Sequence, residues 1–182
     1  MEERLFSEFW KVVQGKLHSG AARALREYFP KLEASLKALD LTSAYWSWSA
    51  SHSQTHLLLC GAMGFGRMEI EMQSAQTPED TWSHTISLSV LPWSEVTEIK
   101  QNFSREGHSG DDPPVQLSEA ILSIRSGNPI PLLPAPNMDR RGGVCVADNK
   151  VESFTDQHMF IAAVIKGQRG RGAETWERGG TG

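Results

Sequence analysis

The spacing of apolar residues changes at residue 41, and that change limits the folds open to this chain. Up to Asp40 apolar residues recur three or four apart. Leu5, Phe6, Phe9, Trp10, Val13 and Leu17 share one helical face, and Leu25, Tyr28, Phe29, Leu32, Leu36 and Leu39 resume the stripe after Gly15 and Gly20. From residue 41 the period is two. "SAYWSWSAS" sets Tyr45, Ser47 and Ser49 against Trp46 and Trp48, and "RMEIEMQ" sets Met68, Ile70 and Met72 against charged neighbours. "HTISLSVL" sets Ile86, Leu88 and Val90 against serines, so one face of that strand meets water. A chain that opens in helix and then turns to strand is α+β, here mainly antiparallel β. Pro30 is expected to interrupt the N-terminal helices, because it lacks the N–H of a helix interior yet suits a first helical position.

Further on, "THLLLCG" is a short apolar run, and Gly61, Gly64 and Gly66 in "GAMGFG" suit a hairpin. "SREGHSGDDPPVQLS", residues 104–118, reads as a polar loop, and "AILSIRSGNPIPLL" as two short strands whose prolines suit an edge. "NMDRRGGVCVADNK" reads as loop. "VESFTDQHMFIAAVIKG" repeats its apolar residues as a closing helix would, with Gly167 just past the end. The glycine-rich remainder has no period. The division expected is an N-terminal helical extension over 1–40, a β-rich domain over 41–167 with about seven short strands, and a flexible tail over 168–182.

At 182 residues the chain suits one domain with extensions and is long enough to bury a core without staples. Its net charge of −4 offers no general attraction to nucleic acid or anionic membranes. No apolar run approaches the roughly 20 residues of a membrane-spanning helix, and "MEERLFSEFW" is unlike a signal peptide. Two cysteines, Cys60 and Cys145, make neither a disulfide framework nor a metal quartet. A cytoplasmic protein with reduced thiols is the expectation.

Chemistry is sparse. His52 and His56 lie four apart, with His84 available on a neighbouring strand. On a strand, however, four residues span roughly 13 Å, too far for one ion. No metal and no cofactor is expected. Cys60 ends the most apolar strand and has no cationic neighbour to activate it; Cys145, near Arg140 and Arg141, is little better. Glu95 and Glu98 read as a solvated pair beside Lys100. Asp111 and Asp112 lack the spacing of a calcium loop. "RGRG", with Arg169 and Arg171, is too short for an RNA-binding tail, and Glu174 and Glu177 follow it. No catalytic residue is assigned. The apolar arc around Phe6, Phe9 and Trp10 is too wide to stay bare: it either packs on the chain's own sheet or anchors a partner. Those three are the expected partner-binding residues.

Three stretches carry a family resemblance: "ISLSVLPWSEVTEI", a strand ending in proline, a polar corner and a second strand; "ILSIRSGNPIPLLPAP", a late hairpin; and "ESFTDQHMFIAAVIKG", a closing helix. Residues 41–167 resemble the pleckstrin-homology-like (PH-like) domains of bacteria. The resemblance implies a bent barrel or strongly curved sheet with a C-terminal capping helix, and a non-catalytic interaction or scaffolding module that binds a protein partner or its own kind. It makes "PWSE" a corner between strands, with Trp93 packing near the surface. Phosphoinositide binding is disfavoured, since residues 42–66 hold no Lys or Arg. A chaperone-like α+β protein that holds a client is the alternative, and helix over 94–104 would favour it; a small enzyme of unknown reaction ranks last.

Overall fold

Leu57, Leu58, Leu59 and Cys60 are all fully buried, so the strand they form has no wet face and each of its sides needs a core of its own. The computed structural model describes residues 19–41, 44–51, 53–73, 83–105, 114–132, 139–147, 150–154 and 157–177, with single positions between 7 and 17 and between 107 and 112. Within them β1 (Ala44–Ser51), β2 (Gln54–Cys60), β3 (Gly64–Gln73), β4 (Ser83–Pro92), β8 (Asp139–Ala147) and β9 (Lys150–Phe154) form a six-stranded sheet in the order β4-β3-β2-β1-β8-β9. All of its pairings are antiparallel. A second antiparallel sheet holds β5 (Val96–Ser104), β6 (Gln116–Ile124) and β7 (Ile130–Pro131). The protein is α+β, and among the described residues its strands divide between two sheets without closing a barrel.

Two cores lie on opposite faces of β2. On one face Leu57 and Leu59 join Met68 and Ile70 of β3, and α1 (Ser19–Ala38) covers them with Ala21, Ala24, Leu25 and Leu36. Trp10, Val13 and Leu17 lie in the same core. On the other face Leu58, Cys60 and Phe65 meet Val96, Leu117, Ala120 and Leu122 of the second sheet. Phe160, Ile161 and Val164 of α2 (Gln157–Glu177) complete that core. The sheet is therefore the middle layer of three.

Four expectations are corrected. Pro30 lies inside α1 and does not break it. A mid-helix proline costs about 3 kcal/mol, but a fully buried leucine contributes about 1.5–3 kcal/mol, and α1 buries Leu25 and Leu36 completely. The expected loop around Cys145 is β8, paired with β1 on one side and β9 on the other; two flanking ladders supply what the Gly142-Gly143 pair withholds locally. With it the described strands number nine. The closing helix expected from Val151 to Gly167 instead starts at Gln157, after the strand β9, and runs past Gly167 to Glu177. Trp93 is not near the surface but 3% exposed.

Candidate functional site

Trp93 opens a single 3-10 turn, Trp93–Glu95, between β4 and β5, so the corner expected of "PWSE" is present. Pro92, in extended backbone, precedes the turn and Val96 follows it in extended backbone. The indole points inward, and its Nε1–H donates to the Gly61 carbonyl at 3.1 Å in the β2–β3 turn. The same turn is held from the other side by the end of α1. Asp40 takes a left-handed conformation (φ 53), and the carbonyls of Asp40 and Leu39 accept the N–H groups of Ala62 (3.1 Å) and Met63 (3.4 Å). Helix-end carbonyls that would lack partners thus find them in a hairpin. Trp93 thus pins the hairpin.

The sequence candidates fall apart in space. His56 of β2 stands opposite Glu69 of β3, with Nδ1 3.6 Å from the carboxylate. Arg67 is ion-paired with the same carboxylate, and Gln54 donates to Glu71 at 3.0 Å. Burial depresses the His56 pKa; the Glu69 carboxylate opposes that shift, Arg67 adds to it, and Glu71 opposes it. His84 of β4 lies on the other face, its Nε2 2.8 Å from Glu27 of α1. Its ring meets Tyr28 edge-on, with centroids 5.7 Å apart. Opposite faces of one sheet cannot share an ion; His52 lies outside the described residues. Among these residues no group of three His, Cys, Asp or Glu side chains is placed to hold a metal.

Cys60 is buried. Glu95 braces the corner, its backbone carbonyl accepting from Arg125 N–H at 2.8 Å. Glu98 and Lys100 lie along β5, and Asp112 is ion-paired with Arg105. Lys166 and Arg169 line an open groove of about 510 Å³ on α2 with Ala162, Ile165 and Gly170. Trp10 is 2% exposed and meets Phe29 edge-on, with centroids 5.2 Å apart, so it serves the chain's own core. Phe6 and Phe9 lie outside the described residues.

The feature the sequence reading missed is an edge. Each sheet has two, and a strand edge presents unpaired N–H and C=O groups that natural proteins blunt. β9 is five residues long and carries Lys150 and Glu152. β5 carries Glu98 and Lys100 and two register shifts, at Val96/Glu98 and Asn102/Phe103. β7 has two residues, one of them a proline. Among the described residues β4 has, of these devices, only a proline at its very end. It runs ten residues in unbroken register with β3, holds no Asp, Glu, Lys or Arg, and its only proline is the last residue. Thr85, Ser87 and Ser89 are exposed on one face; on the other, Val90 is 49% exposed, while Ile86 and Leu88 pack against the α1 core. A decapeptide without Asp, Glu, Lys or Arg was visible in the sequence; its place at the rim was not.

No helix of the described residues is long and apolar enough to cross a membrane. Comparison with protein-family models, with curated proteins and with solved structures found no match for this chain.

Proposed function

We propose that the protein is a non-catalytic interaction module that takes up a protein strand along the free edge of β4. The observation carrying this reading is the contrast among the four sheet edges of the described residues: three are short, charged or bulged, and β4 is long, regular and without Asp, Glu, Lys or Arg. An added strand would gain main-chain hydrogen bonds along its length, with alternate side chains setting specificity. The PH-like likeness belongs to the same proposal. The strand Val96–Ser104 after the corner supports it over the chaperone-like reading, which called for helix there.

A photo-activated cross-linking residue placed at Ser89 in the full chain, expressed in its native cells, tests the proposal. A defined protein adduct, whether a second copy or another chain, supports it. Illumination that yields no protein adduct at Ser89, while the folded chain is recovered intact, overturns it.

A further inference from the structure

We infer that the occupant of the β4 edge is a second copy of this chain, paired antiparallel about a two-fold axis at Leu88. The inference rests on the interaction reading above and names its partner. Three observations carry it. First, the stretch that the described residues leave unpaired has definite limits. The His84 carbonyl already accepts the Tyr28 hydroxyl at 3.4 Å, and Pro92 has no N–H, which leaves 85–91 with Leu88 at its centre.

Second, parity makes the strand complementary to itself. Backbone groups along a strand point alternately to its two sides, so a two-fold antiparallel pair matches residues of like parity and places them on one face. About Leu88, Ile86 meets Val90 of the second copy and Leu88 meets itself, continuing the apolar stripe beside α1. Ser87 meets Ser89 on the wet face, and Thr85 meets Leu91. The half-exposed Val90 gains an apolar neighbour.

Third, the charge pattern suits a like partner. A charge at the axis of a strand paired with its own copy faces a like charge, as does a run of one sign along it, and either destabilises the pair. β4 holds no Asp, Glu, Lys or Arg between Ser83 and Pro92. Closed two-fold pairing also removes the edge, where a head-to-tail contact would leave it open.

The test is the solution mass of the purified full chain by light scattering over a concentration series, beside two double variants at exposed serines. Wild type is expected at twice 20.2 kDa. Ser87→Lys with Ser89→Lys opposes lysines across the axis and should weaken association about tenfold or more. Ser87→Lys with Ser89→Glu places each lysine opposite a glutamate of the other copy and should restore the dimer. A monomeric wild type overturns the inference. So does a dimer that the lysine pair leaves untouched, or a Lys/Glu variant as weak as the Lys/Lys one. Hydrogen exchange on wild type is a second readout, independent of variant folding: protection of β4 amides must rise with concentration, and concentration-independent exchange overturns the inference. A monomeric wild type that still forms a Ser89 adduct with a different protein refutes self-pairing and leaves the interaction reading standing.

Discussion

Trp93 and Gly167 are in contact because Gly167 has no side chain: a Cβ there would lie 2.6 Å from Cζ2 of the Trp93 ring and 3.0 Å from Cε2. The corner between β4 and β5, the hairpin at Gly61 and the helix α2 meet at this indole.

Gly167→Ala should therefore destabilise the protein. In a free helix the change gains about 1 kcal/mol, but forcing a methyl against a buried ring costs about 1–3 kcal/mol. Gly170, three residues along the same helix, is the internal comparison, since a Cβ there meets nothing within 4 Å. Gly170→Ala should stabilise by about 1 kcal/mol. Urea unfolding of both variants checks the opposite signs; equal shifts would remove the steric account.

Trp93→Phe keeps most of the ring and loses the N–H. The Gly61 carbonyl, which accepts that N–H inside the core, is left without it, at a cost of about 1–3 kcal/mol. Thermal melting should show the loss. A melt unchanged from wild type would mean the indole acts by packing alone.

Trp10→Ala should cost about 3–5 kcal/mol, the usual penalty for emptying a buried aromatic site. Because Trp10 packs against Phe29 within the chain, the solution mass of the folded variant should match that of wild type. A change in assembly at unchanged stability would show that the indole instead anchors a partner.

His56 gives the protein a specific acid sensitivity. Its pKa in the folded chain lies below the ordinary 6.5, chiefly because burial disfavours the charged ring. Between the folded pKa and 6.5 the unfolded chain binds more protons, so the stabilising contribution is present above 6.5 and lost as pH falls through the folded value. His56→Gln should flatten the decline in melting temperature just below pH 6.5. It should leave the later loss from Glu27, whose pKa is lowered from 4.5 mainly by its hydrogen bond with His84. A pH profile identical in the variant would rule His56 out as the source.

The classes of element and much of their order are legible in the residues alone. The period of two marks β1, β3 and β4, and the unbroken apolar run Leu57–Cys60 announces a strand with two dry faces. "PWSE" announces the corner, because proline and a short polar pair bend a chain whatever surrounds them. These signals are local, carried by residues within a turn or two of one another. Tertiary structure alone decided the rest, since it depends on partners distant in the chain. Asp139–Ala147 is a strand because β1 and β9 flank it, despite its paired glycines. The helix passes Gly167, where the Trp93 ring, far away in sequence, fills the place of a side chain. Pro30 stays helical because Leu25 and Leu36, buried in the core beneath it, hold α1 against the sheet. β4 reads like any half-wet strand, and only the order of the sheet puts it at the rim, with its outer ladder open among the described residues, because hydrogen-bonding neighbours are a property of the assembled sheet and not of any strand within it.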